Sequence, residues 1–439
     1  MGFREVVPPS LQEILQNGLL DRTFEDALVP ALLWDGLAEV KPWGGAVGST
    51  GIFTKSGLMT PTTTPITGSD ASAATYGFEQ YQVKMDQYGS SIDTNMLLSA
   101  MALASKFLED NKVLAIQAAQ SINLLAQGAL YGAYATGKTW ATAPSTSSTT
   151  LVVDNAAGFQ YATVDLSTSG SNPTEGLTGQ ATPTLVPVSA SNPLNITVGG
   201  VANTVVGVDV ATQTLTLGTA ISATVGEAVV ASNGAVMLEA GSVASGYNLT
   251  GSNVATLALF QSAVTRLRTM NVPRIRGAYT AHVHPETVDE LFQDNNFLLA
   301  YRGAGQSPAY RDFAPGDSLG QGAEFMGRFS GIDWILDTVV PTYTNPGGVE
   351  VYQPIVSGDG TLVKAPFSEM ADLISAMQAG STVQVDEIGG VVRILRAPLD
   401  RLGQVLSSTW SWVGGYTVGT DLLTGDAAAY KRSVVVEHA

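Results

Sequence analysis

A chain of 439 residues can hold two or three domains and bury a substantial core, and its 13% charged share, about half the usual one, implies unusually extensive cores or contact surfaces. A formal charge of −17 disfavours tight nucleic-acid binding, which needs Lys and Arg to displace counterions from phosphates. Without cysteine there is no disulfide, thiolate metal site or cysteine nucleophile, and "MGFREVVPPS" lacks the apolar run of a secretion signal, so synthesis in a cytoplasm is the simplest expectation.

Residues 1 to 40 read as an arm of two short amphipathic segments, punctuated by Pro8, Pro9, Pro30 and Gly36, that need something to lie on. Residues 41 to 90 begin rich in Gly, Thr and Pro and end in the alternating "FEQYQVKMDQY", which predicts a long extended loop closing in a strand.

Next comes the longest periodic stretch. From Met96 through Phe107, Leu114, Ala118, Ile122 and Ala129, apolar residues recur at three- and four-residue steps without proline. This predicts one helix over 93 to 135, about 60 Å long, with Asp93 as its cap after a turn at Tyr88 and Gly89. Its second half, 113 to 130, is uncharged and long enough to span a bilayer. Gln117, Gln120, Ser121, Asn123 and Gln127 argue against a membrane span, since each costs free energy in hydrocarbon.

Between Lys138 and Arg266 there is no Lys or Arg at all. The short β-branched runs "TTLVVDN", "LNITVGG", "TVVGVDV", "QTLTLG" and "GEAVVAS" predict a separate small β-sandwich or barrel, with a hairpin in "VDVATQTLTL". From 251 the pattern is α/β again. "NVATLALFQSAVTRLRTMN" predicts a helix capped by "SN", "GAYTAHVHP" a strand, and "PETVDELFQDNNF" a helix with Pro285 early and acids in its first turn. "GIDWILDTVV", "GGVEVYQPIVSG", "VVRILRAPLD" and "QVLSSTWSWVGGYTVGTDLL" read as strands, and "FSEMADLISAMQ" as a helix or an irregular segment. Residues 1 to 138 and 251 to 439 are therefore expected to fold together around an inserted unit.

Signals for chemistry are weak. His282 and His284 are two apart on one strand, a spacing that would suit a metal, but no third ligand stands at a telling interval. No G-x-S-x-G elbow or phosphate loop is present, and acid pairs such as Asp333 with Asp337 resemble ordinary surface carboxylates, so neither an enzyme nor a cofactor is expected. Arg266, Arg268, Arg274 and Arg276 form the one dense basic patch; inter-subunit salt bridges are its expected use.

The order of parts resembles the major capsid protein of tailed bacteriophages, the Hong Kong ninety-seven fold, in its podophage-like branch. The stretches that carry it are "DQYGSSIDTNML" (86 to 97), "LALFQSAVTRLRTMNVPRIRGAYTAHVHPETVDELFQD" (257 to 294), "GRFSGIDWILDT" (327 to 338) and "APLDRLGQVLSSTWSWVGGY" (397 to 416). The resemblance implies an α+β fold with an N-terminal arm (1–40), an E-loop (41–80) and a peripheral domain (81–139) holding the spine helix (93–135). It further implies an inserted all-β domain (140–250), a return to the peripheral domain (251–276), an axial domain (277–400) and a C-terminal strand region (401–439). The implied function is assembly of hexamers and pentamers into an icosahedral virion shell around double-stranded DNA, made in a host bacterial cytoplasm. Implied partners are further copies of the chain, a portal and scaffolding proteins, with decoration proteins a further option and no sequence-specific DNA contact. Trp43, Phe53 and Lys55 in the loop region, with the four arginines, are the implied inter-subunit contacts. The alternatives are an encapsulin-like compartment shell and, further off, a secreted β-rich adhesin.

Overall fold

A computed structural model describes residues 24, 33–42, 48–56, 63, 65, 70, 77–95, 106–165, 183–304, 325–367, 372, 383–396, 404–422 and 429–439. In chain order, the first elements are β1 (Ala38–Val40), β2 (Thr50–Ser56), β3 (Phe78–Lys84), β4 (Asp86–Asn95) and helix α1 (Lys106–Tyr134). There follow β5 (Lys138–Trp140), β6 (Ser145–Val152), β7 (Tyr161–Asp165), β8 (Pro183–Pro187), β9 (Leu194–Val198), β10 (Val201–Asp209), β11 (Thr214–Ala223), β12 (Ala228–Ala231) and β13 (Met237–Glu239). Then come α2 (Leu257–Thr269), β14 (Tyr279–Val283), α3 (Pro285–Gln293), α4 (Asn295–Ala304), β15 (Phe325–Phe329), β16 (Ile332–Leu336), β17 (Thr342–Thr344) and β18 (Glu350–Tyr352). The chain closes with β19 (Ile355–Ser357), β20 (Leu362–Pro366), β21 (Val383–Ile388), β22 (Val391–Arg396), β23 (Val405–Thr417) and β24 (Ser433–Glu437).

These strands make three six-stranded sheets. The first runs β1-β20-β23-β22-β21, with β4 paired along the free length of β23 from Asp86↔Gly414 to Asn95↔Val405. Helix α1 lies across it: Leu114, Ala115, Ala118 and Ile122 pack on Trp410, Trp412 and Val391, together with Phe24 from the N-terminal region. The second sheet, β13-β24-β19-β14-β16-β15, is mixed and is covered by α2, whose Phe260, Val264 and Leu267 meet Tyr279, Phe329 and Trp334. At the far end of α1, Leu130 and Tyr134 pack with Trp34, Ile355 and Val435, so one helix serves both sheets.

The third sheet, β5-β12-β9-β10-β11-β6, is antiparallel and stands on its own core of Leu151, Ile196, Val198, Val205, Leu215 and Val229. An Ala141↔Val153 bridge joins its two outer strands just beyond their ends, so the ladder closes on itself as a small barrel and leaves few open edges. Every β-branched run read in this region forms a strand, and β10 and β11 form the expected hairpin.

Several expectations change. The described part of helix α1, Lys106–Tyr134, is about 43 Å long, and residues 93–95, expected to open it, are strand. Asp93 pairs with Ser407 instead of capping a helix, and Gly89 is no turn: it sits in β4 opposite Ser411, where a Cβ would lie 2.6 Å from the Trp410 carbonyl oxygen. Thr256, not the "SN" before it, caps α2 by accepting from the Leu259 amide. Strand β13, inside the span expected to be inserted, pairs in parallel with β24 of the mixed sheet, whereas β5, ahead of that span, belongs to the barrel. Likewise β20 to β22 lie within the expected axial span of 277–400 yet build the sheet under α1, because β20 pairs with β1 and β23, and β22 pairs with β23 and carries β21 on its other side. The residues expected to form a helix or irregular segment at 367–378 lie almost wholly outside the described ones, as does most of the arm.

Candidate inter-subunit surfaces

Three of the five polar residues that argued against a bilayer along α1 bond to other parts of the chain, while Gln120 is exposed and Ser121 donates to Gln117 of the same helix. Gln117 accepts from the Trp410 indole at 3.0 Å, Asn123 accepts from the Trp34 amide at 2.8 Å, Gln127 donates to the Val339 carbonyl, and Tyr131 donates to Gln353 at 2.6 Å. By length and composition alone α1 could cross a membrane, but half of its most apolar window is buried against the rest of the chain. Trp34 was not singled out in the sequence, yet it is fully buried between Tyr131 (5.7 Å, edge-on) and His282 (4.1 Å, stacked). The arm's expected resting place, for residues 33–40, is thus its own helix and sheets. Next to it, Asp35 accepts from Lys364 at 2.9 Å and from Tyr416 at 2.5 Å, and burial together with that carboxylate raises the Tyr416 hydroxyl far above its usual range.

The β2–β3 hairpin carries two of the residues expected at a subunit contact. Alternation along β2 turns Phe53 and Lys55 inward: Phe53 tilts on Tyr81 at 5.7 Å under the Lys41 ammonium, while Lys55 pairs with Asp421 and lies 3.5 Å from Glu79. Arg432 completes the cluster with 2.9 Å to Asp421, and Glu79 also accepts from the Leu422 amide at 2.8 Å. Burial pushes the Glu79 carboxyl up in spite of Lys55. Lys55 therefore ties the hairpin to the C-terminal segment of the same chain while Phe53 packs on Tyr81 within it, and Ile52, 58% exposed, is the apolar side chain that β2 presents outward. Trp43 lies outside the described residues.

The arginines occupy another corner. Arg266 and Arg268 stand in the last turn of α2, where the helix dipole favours cations, and Arg274 and Arg276 follow in the tight turn that enters β14. All four are exposed. Arg266, Arg268 and Arg274 make no ion pair with any described residue, while the nearby Asp333 is held by Arg328 at 2.5 Å. A backbone path joins this turn to the hairpin base: Arg432 donates to the Asp359 carbonyl at 2.9 Å, and the Asp359 amide donates to Pro273 at 3.0 Å. The structure thus brings Lys55 and the arginine turn to two ends of one bonded path.

The histidines point elsewhere than a metal. His282 is buried on β14, pushed down to about 4 by that burial, while His284 caps α3 by accepting from the Glu286 amide and stacks on Tyr352 at 4.8 Å. His438 is buried with Nε2 2.7 Å from the Thr287 hydroxyl and Nδ1 2.8 Å from Glu290. Among the described residues no His, Cys, Asp and Glu cluster has metal-holding geometry. A last buried cluster ties the barrel to the mixed sheet: Lys138 pairs with Glu239, and Glu437 beside them accepts from Gln353 at 2.8 Å. Burial lifts Glu239 to about 7 against the pull of Lys138, and lifts Glu437 as well.

No family model matches the chain, and no curated protein does. Among solved structures, it is similar to the capsid of Ralstonia phage GP4 at a TM-score of 0.54, with 12% identity over 92% of this chain and 87% of that one. The chain has a phage capsid fold. It is also similar to the capsid structure of cyanophage P-SCSP1u (TM-score 0.47, 12% identity, 94% and 89% covered) and to the capsid asymmetric unit of cyanophage Pam1 (0.45, 11%, 91% and 90%). Among the described residues the four arginines and Ile52 are exposed, whereas Phe53 and Lys55 contact residues of their own chain.

Proposed function

We propose that this chain is a major capsid protein, assembling as hexamers and pentamers into the icosahedral shell of a virion. The observation that carries the reading is the fold shared with the Ralstonia phage GP4 capsid over 92% of the chain. The chain's own chemistry agrees: charged residues are scarce, and buried charges such as Asp421 and Glu239 are held by Lys or Arg without forming a reactive centre. Closed shells repeat a few interfaces many times, which suits such a surface.

In this reading the β2–β3 hairpin is the stem of an E-loop reaching over a neighbouring subunit. The mixed sheet with α2 and α3 forms the axial part of a capsomer, and the barrel is an inserted domain. A net charge of −17 leaves packaged DNA held through counterions without sequence-specific contact. Portal, scaffolding and decoration proteins would be further partners, and no catalytic role is assigned. Negative-stain microscopy of the expressed protein tests this: uniform capsomers or closed shells are expected, and a dispersed monomer at high concentration would sink it. Nuclease-protected DNA in native particles separates a virion from an empty cellular compartment.

A further inference from the structure

Strand β14 divides two surfaces of opposite charge. At its start stand exposed Arg266, Arg268 and Arg274; the Arg268 guanidinium lies beside Gly331, whose carbonyl accepts from the Tyr279 amide at the first residue of β14. At its end the chain passes through His284 into α3, where Glu286 and Asp289, three apart on one helical face, are exposed. Glu350 of β18 is exposed there too. Glu286 and Glu350 both act on His284 and on Tyr352, which places them around the same stacked ring pair. β16 runs parallel to β14, so the two charged edges lie at opposite ends of these strands, separated by about 13 Å. Basic and acidic edges at opposite ends of one rigid sheet cannot neutralise each other within a subunit.

We infer that the arginine edge of one copy docks on the Glu286, Asp289 and Glu350 edge of the next, so that charge complementarity sets a head-to-tail contact between neighbouring subunits of a ring. This rests on the shell reading above and deepens it by naming the partner surface. A two-fold contact through the arginine turn would set like charges against each other; a head-to-tail contact sets unlike charges together and closes a ring when the rotation permits. Rim charges of this kind select partners and registers more than they add affinity, which suits a capsomer that must form rings of two sizes.

Two charge-reversed chains test it. One carries Arg266→Glu, Arg268→Glu and Arg274→Glu; the other carries Glu286→Arg, Asp289→Arg and Glu350→Arg. All six positions are exposed, so both variants should keep the wild-type circular dichroism spectrum. Each alone should lose assembled rings by roughly tenfold or more, since every contact then sets like charges together. Mixed in equal amounts they should assemble again, but only in even-numbered rings, because the two chains must alternate and an odd ring leaves one like-charged seam. Native mass spectrometry reads this as hexamers of three plus three without pentamers. A single chain carrying all six changes should recover both ring sizes.

Folded variants that each assemble like wild type, or a mixture no better than its components, would overturn the pairing while leaving the shell reading intact. An arginine variant that forms normal rings but retains less nuclease-protected DNA would overturn it in favour of a nucleic-acid contact. A wild-type chain that never leaves the monomer overturns the shell reading and this contact with it.

Discussion

The barrel and the two sheets joined by α1 solve the same problem in different ways. The barrel takes its six strands from one continuous stretch, 138–231, pairs them only with one another, and has an apolar core with no Lys or Arg in it. The sheets around α1 join segments hundreds of residues apart, such as β4 with β23 and β1 with β20, and they bury Asp421, Arg393 and His282 among their apolar side chains. Local pairing lets the barrel fold as a unit; non-local pairing makes the α1 region depend on the whole chain being present.

The largest effect that separates the two regions is expected from a buried charge placed in each. Ala118 is fully buried between α1 and the first sheet, and Ala118→Asp puts a carboxylate among the apolar side chains there, costing on the order of 4 kcal/mol or more. Soluble protein and assembly should both be lost. Val198→Asp makes the same change in the barrel core and should expose residues 138–231 to protease while the helical circular dichroism signal persists. Loss of the helical signal in the Val198 variant would show that the barrel is no separate unit.

A smaller effect is expected at the hairpin base. Asp421→Ala leaves Lys55 and Arg432 facing each other without their shared carboxylate. Both cations are partly exposed, so the cost is about 2 kcal/mol and not the larger value of a fully buried pair. A drop in chemical-denaturation midpoint with unchanged slope is the expected reading. The comparison sharpens if Asp209→Ala, on an exposed barrel turn, changes the unfolding free energy by less than about 0.5 kcal/mol.

Two buried groups of the mixed sheet should also answer pH with opposite sign. Glu239, at the barrel junction, is raised to about 7, so the folded state holds a proton that the unfolded chain releases at lower pH. Its contribution is present in full below the unfolded carboxyl value and is lost as pH rises through about 7. His282 is lowered to about 4, so its contribution is present above the unfolded imidazole value and is lost as pH falls toward 4. Each is worth on the order of 2 kcal/mol. Glu239→Gln should flatten the loss of stability between pH 5 and about 7.5, and His282→Gln the loss on the acid side. An unchanged profile in either variant would show that the group carries no such proton linkage.

How much of this was legible in the sequence follows the same division. The barrel strands show as β-branched runs because each is defined by local alternation, and α3 shows because Pro285 and Glu286 mark its first turn. Residues 93–95 were misread as helix because apolar spacing runs on from them, while the partner that makes 86–95 a strand lies in 405–414 and is invisible to local periodicity. The arginine patch is visible as a run of charge. The inward direction of Lys55 is not, because its partners Glu79 and Asp421 are fixed only by the fold, and Trp34 has no pattern around it that announces burial against α1.

The smallest effect on the α1 region should come from removing the barrel altogether. Trp140 pairs with Ala228 and Lys138 with Val230, so the chain enters and leaves the barrel on adjacent antiparallel strands about 5 Å apart. A short Gly/Ser linker in place of residues 142–226 spans that gap. It keeps β13, which the mixed sheet needs, and keeps the Lys138–Glu239 pair. The remaining chain should stay soluble with its helical signal intact and its thermal midpoint within a few degrees of wild type. Extending the excision to 248 would also remove β13 and strip β24 of its parallel partner, so the longer deletion should destabilise where the shorter does not. Equal behaviour of the two deletions would mean that β13 contributes nothing to the mixed sheet, and loss of soluble protein in both would mean that the barrel, for all its local pairing, is a structural member of the α1 region.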